Sequence, residues 1–258
     1  MGLVNNMPDA AVAATERQFR QLLTAAAPDR PLDLVLFDMP GVVRDPAFRT
    51  RMQRHYRSFE AIPEAGLHAL VVTGANPGDG VLRDAPFWAD FAALVDMTLD
   101  LRLPTLWSCL AAHAAVEHLD GIKRKPLPAK YSGLYACEPT AADPLLDGLQ
   151  RSWTIPHSRR NGLDEAELVA HGYDILTRSP DVGVDSFVRR GPPLFLFCQG
   201  HPEYDRNALS LEYKRDLRAY LEGQSDAPPA MPVGDFETGA DWRDFAVGLY
   251  ANWLQAVQ

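Results

Sequence analysis

Short apolar segments alternate with amphipathic segments through the first half of the chain. Near-continuous apolar runs are typical of strands that are buried on both faces of a parallel sheet. The segments between them repeat apolar residues at helical spacing, as Phe19, Leu22 and Leu23 do. The pattern predicts strands at residues 2–6, 32–37, 68–73 and 104–108, helices at 11–27, 87–99 and 110–119, and a helix with a loop at 44–60.

The second half of the chain contains more strand-like segments and fewer helices. Segments at residues 132–137, 174–178, 183–188 and 194–199 predict strands, and antiparallel additions to the sheet fit their order. Helices are expected at 207–222 and 242–257, with a proline-rich loop at 225–232 between them. No linker divides the chain. We therefore expect one domain, residues 1–258, of the α/β class, with a mostly parallel central sheet flanked by helices.

Composition and charge exclude several functional classes. Hydrophobic residues make up 47% of the 258 residues, which is enough for an ordinary globular core. The formal net charge of -9 argues against a nucleic-acid partner, because phosphate binding needs clustered positive charge. No apolar run approaches the roughly 20 residues of a membrane span. The expected partners are therefore small molecules, with no nucleic acid and no membrane.

The cysteines and the first residues bear on location and on metal binding. Cys109, Cys137 and Cys198 are too few and too widely spaced for a disulfide framework. The first ten residues lack the basic and apolar regions of a signal peptide. Both observations predict a reduced, cytoplasmic protein. No cysteine or histidine pair has zinc-ligand spacing, so we predict no metal site.

Cys109 lies where a predicted strand turns directly into a predicted helix. Such a turn exposes its central side chain at the carboxyl end of the sheet, where α/β proteins bind ligands. The helix N-terminus would also favour a thiolate and offer N–H groups to an oxyanion. This position predicts a nucleophile. The alternative is that Cys109 is a small buried apolar residue, as most free cysteines are.

His201 and Glu203 follow another predicted strand, at residues 194–199. An activated cysteine needs a base within hydrogen-bond reach and a carboxylate that orients the base. Both residues are expected at the same edge of the sheet as Cys109, so we predict a Cys109–His201–Glu203 catalytic group. His157 is the competing candidate for the base.

Several segments in this order resemble the homoserine O-succinyltransferases and O-acetyltransferases of methionine biosynthesis. That family is built on the class I glutamine amidotransferase fold, a flavodoxin-like arrangement. The resemblance covers nearly the whole chain. It is carried by residues 5–19 (NNMPDAAVAATERQF), 71–88 (VVTGANPGDGVLRDAPFW), 109–116, 130–135 (KYSGLY), 156–159 (PHSR), 200–205 (GHPEYD), 212–216 (EYKRD) and 242–254.

The resemblance implies transfer of a succinyl or acetyl group from acyl-coenzyme A to Cys109, and then to the hydroxyl of homoserine or a related hydroxy amino acid. It implies His201 as proton acceptor, with Glu203 as its partner. It further implies acyl-coenzyme A as a co-substrate and no permanently bound cofactor. Independently of the resemblance, a homodimer is the default expectation, because it is the commonest oligomer. The substrate-binding positions that it implies are Lys130, Ser158, Glu212, Arg215 and Gly78. Glycine at position 78 favours succinyl transfer, because it leaves room for the longer acyl group.

Two positions depart from the family pattern. Asp9 and Ala10 follow Pro8 where the family has a lysine, and Val81 replaces a usual glutamate. These differences suggest an acceptor other than homoserine, such as serine. Two other functions also remain open, namely amide hydrolysis of the glutaminase type with the same three catalytic residues, and a non-catalytic binding protein. The cluster Lys123-Arg124-Lys125 is either a contact for coenzyme A phosphates or an exposed turn.

Overall fold

The computed structural model describes residues 1–75, 80–234 and 242–257. Its strands, numbered along the chain, are β1 (Gly2–Val4), β2 (Val35–Asp38), β3 (Tyr56–Ser58), β4 (Leu70–Val72), β5 (Thr105–Ser108), β6 (Lys125–Pro139), β7 (Trp153–Gly162), β8 (Asp174–Ser179), β9 (Gly183–Arg189) and β10 (Phe195–Cys198). Its α-helices are α1 (Val12–Ala26), α2 (Pro46–Met52), α3 (Trp88–Asp100), α4 (Leu110–Asp120), α5 (Glu165–Ala170), α6 (Ala208–Leu221) and α7 (Trp242–Ala256). Short 3₁₀ turns cover Phe59–Glu64, Leu82–Asp84 and Pro144–Leu146.

The strands of the described residues form one sheet in the order β3-β2-β1-β4-β5-β10-β9-β8-β6-β7. The part from β3 to β10 is parallel. The part from β10 to β7 is antiparallel. This arrangement confirms the predicted α/β class, with a mostly parallel sheet and antiparallel strands contributed by the second half of the chain.

Apolar side chains pack on both faces of the sheet, because successive residues of a strand point to opposite faces. Leu3 belongs to the core layer that also holds Phe19 of α1 and Trp253 of α7. Val4, the next residue, belongs to the layer that contains Phe91 of α3. All of these side chains are almost completely buried, and each contributes about 1.5–3 kcal/mol. Helices on both faces therefore leave the ends of the parallel strands as the open edge.

Some elements differ from the sequence prediction. Strand β3 lies within the segment predicted as a helix and loop, and its residues Arg57 and Ser58 are exposed. Strand β7 and helix α5 were not predicted, and β6 extends beyond the predicted 132–137. Strand β7 lies at the edge of the sheet and contains Pro156 and the two arginines Arg159 and Arg160, so its apolar pattern is weak.

Among the described residues, no helix has both the length and the apolar character that crossing a membrane requires.

Candidate active site

Cys109 forms the junction between β5 and α4. All four residues of β5 are buried, and α4 begins immediately after the cysteine. The backbone therefore turns within one residue, with φ 52° and ψ −113° at Cys109. A non-glycine residue with such dihedrals costs on the order of 1–3 kcal/mol. The backbone N–H of Cys109 donates to the carbonyl oxygen of Cys198 over 2.7 Å, which holds the turn against β10.

The first turn of α4 lies against the loop that follows β4. A Cβ atom on Gly74 would lie 3.0 Å from the backbone nitrogen of Leu110, so glycine permits this close approach. The N–H groups in the first turn of a helix have no acceptor within the helix. The Leu110 N–H, directly after Cys109, is therefore available to an oxyanion.

His201 lies between Cys109 and Glu203. Its Nδ1 atom is 2.8 Å from Glu203 Oε1, and its ring interacts electrostatically with the Cys109 side chain. The ring also stacks on Tyr204, with 4.1 Å between centroids. Burial disfavours the charged imidazole, but the charges of Cys109 and Glu203, with their hydrogen bonds, raise the pKa of His201 well above its ordinary value. The arrangement suits proton transfer to and from a thiol.

Strand register explains why these side chains meet. Strands β5 and β10 are parallel neighbours, and Ser108 is paired with Cys198. The residues that follow each strand, Cys109 and the turn containing His201, therefore leave the sheet side by side. The backbone N–H of His201 donates to the carbonyl of Pro156 on β7 over 2.7 Å, which fixes the far side of this turn.

The three side chains line a cleft of about 1090 Å³. Four of the predicted substrate-binding residues line the same cleft: Lys130, Ser158, Glu212 and Arg215. Gly78, the fifth, lies outside the described residues. The structure thus brings together every predicted site residue that it describes.

Glu212 accepts hydrogen bonds from two neutral donors within the cleft, and Lys130 Nζ lies 4.0 Å from its Oε2 atom. The Ser158 hydroxyl donates to one of its carboxylate oxygens, and the Tyr204 hydroxyl donates to the other over 2.6 Å. Burial and the charges of Glu212 and Glu203 raise the pKa of Tyr204 well above its ordinary value, so the phenol remains a donor. A fixed carboxylate of this kind can face a ligand ammonium group.

Lys130 and Arg215 both contact Asp216. Lys130 Nζ is 2.8 Å from one carboxylate oxygen of Asp216, and Arg215 Nη2 is 2.7 Å from the other. Although burial opposes its charge, these two cations lower the pKa of Asp216. Asp216 therefore holds both basic side chains in the cleft lining, a role that the sequence did not indicate.

His157, the competing base, is completely buried among other groups. Its Nε2 atom is 3.2 Å from Asp185 Oδ1, and its Nδ1 atom accepts a hydrogen bond from Arg159 Nε. Burial lowers the pKa of His157, despite the contact with Asp185. Of the two histidines, His201 lines the cleft described here and His157 does not.

The same region brings three potential metal ligands together. One donor atom each of Cys137, His157 and Asp185 lies within 4.8 Å of the others. Burial raises the pKa of the Cys137 thiol, which disfavours the thiolate that a metal needs. Arg159 adds a positive charge beside His157. Both features disfavour a metal ion at this trio.

Asp9, which stands where the family has a lysine, forms an ion pair within the fold. Arg44 is buried, and its guanidinium contacts Asp9 Oδ1 at 3.1 Å and Asp38 Oδ1 at 2.9 Å. Arg44 also donates to the backbone carbonyls of Asn5 and Met7. Met7 and Pro8 line the cleft, and Asp9 is not among its lining residues. The carboxylate of Asp9 therefore fixes the loop rather than facing the thiol.

Two further cleft residues had no assigned role from the sequence. Arg159 is buried on β7, and His113 lies one helical turn after Cys109 on α4. His113 Nε2 is 2.8 Å from Gln199 Oε1, and burial with the nearby charge of Arg159 lowers the pKa of His113 to about 3. His113 is therefore neutral. The i, i+4 spacing from Cys109 was the available sequence signal for His113.

Comparison with known proteins identifies the family. Residues 1–258 match the family model described as homoserine O-succinyltransferase. A homoserine O-succinyltransferase of Methylorubrum extorquens is 45% identical over 100% of this chain and 86% of its own length. One from Rhodopseudomonas palustris is 46% identical over 92% of this chain and 71% of its own length.

Among solved structures, a glutamine amidotransferase from Thermotoga maritima is similar in fold. Its TM-score is 0.63 with 14% sequence identity, over 99% of this chain and 96% of that chain. The likeness confirms the predicted amidotransferase-like fold. Because the sequence identity is low, it shows the fold and not the function. The relatives' shared description favours acyl transfer over amide hydrolysis. The chain therefore belongs to the homoserine O-succinyltransferase family, a family of acyltransferase enzymes.

Proposed function

We propose that the protein transfers a succinyl group from succinyl-coenzyme A to the hydroxyl of homoserine through a thioester on Cys109. The observation that carries the proposal is the arrangement at the wall of the cleft, where the buried His201 is hydrogen-bonded to the buried Glu203 and interacts with the half-buried Cys109. Family membership supplies the reaction class, and the names of the relatives supply the acyl group and the acceptor.

In the first half-reaction, the Cys109 thiolate attacks the thioester carbonyl of the donor. The carbonyl oxygen becomes an oxyanion, which the Leu110 N–H stabilises. The C–S bond to coenzyme A then breaks, and the protonated His201 gives its proton to the departing coenzyme A thiolate. Glu203 keeps His201 oriented, because it accepts the hydrogen bond from Nδ1.

In the second half-reaction, the acceptor hydroxyl attacks the Cys109 thioester. The neutral His201 takes the hydroxyl proton as the new C–O bond forms, and the Cys109 thiolate leaves. The free enzyme is thereby restored, and the product is the O-acylated amino acid.

The acceptor is proposed to lie between Ser158 and α6. Glu212, fixed by Ser158 and Tyr204, faces the ammonium group. Arg215 and Lys130 supply positive charge for the carboxylate, and Asp216 orients both. Gly78 remains our proposed position for acyl-chain selection.

Coenzyme A is proposed to lie along the part of the cleft lined by α4 and the start of β6. Lys123 and Arg124 line this part, whereas Lys125 is paired with Asp164 and Glu167. Phosphate groups suit the first two residues, which form no ion pair among the described residues. Lys123 and Arg124 are therefore our proposed phosphate contacts, whereas Lys125 is already paired with two carboxylates.

We also propose a location, a domain organisation and an oligomeric state for the whole protein. All three cysteines are free thiols, which suits the reducing cytoplasm. The enzyme is proposed to act as a single domain and as a homodimer, the common state of soluble enzymes.

A steady-state assay tests this function. Purified protein is given succinyl-coenzyme A with homoserine, and the release of coenzyme A and the formation of O-succinylhomoserine are both measured. We expect the parent to form coenzyme A and O-succinylhomoserine in equal amounts. We expect Cys109→Ala to form neither. Acetyl-coenzyme A and serine, as alternative donor and acceptor, are expected to react more slowly. Release of ammonia from glutamine without any dependence on coenzyme A would overturn the proposal in favour of hydrolysis.

A further inference from the structure

Arg159 is a buried cation that the proposed reaction does not yet use. Only 5% of the residue is exposed, yet it lines the cleft together with Cys109 and His113. Electrostatic interaction with Cys109 partly offsets the burial that lowers the pKa of Arg159. A buried charge is costly unless it meets an opposite charge, so an unpaired guanidinium in the cleft wall indicates an anionic ligand.

The hydrogen bonds that hold Arg159 end on uncharged acceptors in the described part of the chain. Its Nε donates to the ring of His157, Nη1 donates to the Asn161 carbonyl over 2.9 Å, and Nη2 donates to the Val182 carbonyl. A guanidinium has five N–H groups, so one remains on each of Nη1 and Nη2. Two such groups match the two oxygens of a carboxylate.

The surrounding residues fix the guanidinium in place. The ring of Tyr131, on the neighbouring strand β6, lies 5.5 Å from its central carbon. A Cβ atom on Gly162 would lie 2.8 Å from Nη1, so glycine leaves the space that the guanidinium occupies. His157 holds Nε from the other side and is itself in contact with Asp185. The Asp185 carboxylate thus contacts His157, and it acts on Arg159 through its charge without a direct ion pair.

Two other cations of the cleft lining, unlike Arg159, are in direct contact with a carboxylate. Lys130 and Arg215 already contact Asp216 on the acceptor side. Arg159 thus provides the cleft wall with a fixed, buried positive charge near the thiol that no carboxylate of the described chain neutralises by direct contact.

We infer that the Arg159 guanidinium binds the free carboxylate of a dicarboxylic acyl group carried on Cys109, and so selects succinyl over acetyl donors. The inference rests on the proposed acyl transfer and extends it to the residue that recognises the end of the acyl chain. His157 and Asp185 are positioning residues in this account, since they hold Arg159 and do not touch the acyl group.

Alkylation of Cys109 tests the inference without any acyl donor. Iodoacetate and iodoacetamide both react with the thiolate to form an S–C bond and release iodide, but only iodoacetate carries a carboxylate. The ratio of the iodoacetate rate to the iodoacetamide rate is expected to fall about tenfold in Arg159→Gln, as loss of one nearby charge allows. Cys109→Ala corrects for any reaction of Cys137 and Cys198.

Arg151→Gln is the matched control, because it removes the same charge from an exposed residue that is outside the cleft lining. Its rate ratio is expected to stay near that of the parent. An equal fall of both rates in Arg159→Gln would overturn the inference, since Arg159 would then act on the thiol and not on the carboxylate. An unchanged ratio in a folded Arg159→Gln protein would overturn it as well.

Arg159→Lys supplies a second variant that keeps the buried charge. It is expected to retain part of the preference for iodoacetate, but to lose selectivity for succinyl-coenzyme A over acetyl-coenzyme A, because an ammonium lacks the planar fork. Unchanged donor selectivity in this variant would contradict the two-point contact. If the parent transfers no acyl group at all, the proposed function fails, while the alkylation ratio still decides the role of Arg159.

Discussion

At the scale of single residues, His201 shows how burial and neighbouring charge compete. Burial lowers the pKa of this histidine, but the charges of Cys109 and Glu203 raise it well above its ordinary value. A histidine whose pKa is higher in the folded chain stabilises the fold when it is protonated. This stabilisation is complete below the unfolded pKa of about 6.5 and disappears as the pH rises through the higher folded pKa.

Glu203→Gln is therefore expected to destabilise the protein in a pH-dependent way. Removing one member of a buried pair costs about 3 kcal/mol in the free energy of unfolding. The difference from the parent is expected to be largest near pH 6 and to shrink as the pH rises through the raised pKa of His201. Urea unfolding of both proteins between pH 6 and pH 9 measures this difference in the free energy of unfolding.

Asp205→Asn is the control for this series. Asp205 pairs with the exposed Arg17 close to the same turn, so its removal changes stability little and equally at each pH. A Glu203→Gln effect that is constant across the pH range would contradict the charged pair.

At the scale of elements, the turn after β10 depends on close packing against β7 and β9. A Cβ atom on Gly200 would lie 2.4 Å from Ile155 Cγ2 and 2.6 Å from Asp185 Oδ1. A side chain at this position therefore requires the turn, or the side chains of Ile155 and Asp185, to move. Because His201 is the next residue, any shift of the turn also moves the base away from Cys109.

Gly200→Ala is expected to lower the free energy of unfolding by about 1–3 kcal/mol, as overpacking does. The fall in kcat is expected to be larger than this loss of stability alone would produce, because His201 is displaced. Gly172→Ala is the control, since its Cβ meets open space and only its positive φ, 82°, opposes the change, at a cost of about 1 kcal/mol. Equal kcat in the two variants would contradict the packing argument.

The sequence predicted the parallel half of the sheet better than its edges. Strands such as β5 and β10 are fully buried, so their apolar runs are continuous. Strands β3 and β7 lie at the two ends of the sheet and contain exposed or charged residues, so their patterns do not indicate strands. Their position at the sheet edges therefore explains why the sequence did not predict β3 and β7.

Some residues of the candidate site could be predicted from the sequence, and others could not. Cys109, His201 and Glu203 could be predicted because each follows an apolar strand, and their meeting follows from parallel pairing. Arg159 and Asp216 could not be assigned roles, because their surroundings depend on contacts between elements that are far apart in the chain. Only the resemblance predicts Lys130 and Ser158 as substrate-binding residues, and both line the cleft.

At the scale of the whole molecule, an acidic protein contains a cleft of the opposite charge. The chain carries a net charge of -9, yet the described lining of the cleft includes six Lys or Arg residues and four Asp or Glu residues. An anionic substrate is therefore attracted locally, although the protein as a whole repels it.

The acyl donor is thus expected to bind in a salt-dependent manner. Lys123→Gln and Arg124→Gln are each expected to raise the KM for succinyl-coenzyme A about two- to fivefold at low salt, and less at high salt. Initial rates at several ionic strengths measure the effect. Lys125→Gln is the control, because Lys125 is paired with Asp164 and Glu167. The same KM increase in all three variants would contradict the proposed phosphate contacts.

The acyl-enzyme itself gives the most direct test of the central claim, the thioester on Cys109. The protein is mixed with succinyl-coenzyme A without acceptor and analysed by intact-protein mass spectrometry, alongside Cys109→Ala. We predict a gain of one succinyl group in the parent, none in Cys109→Ala, and loss of the adduct when homoserine is added. An adduct that persists in Cys109→Ala, or a folded parent with no adduct that still forms product, would contradict the account.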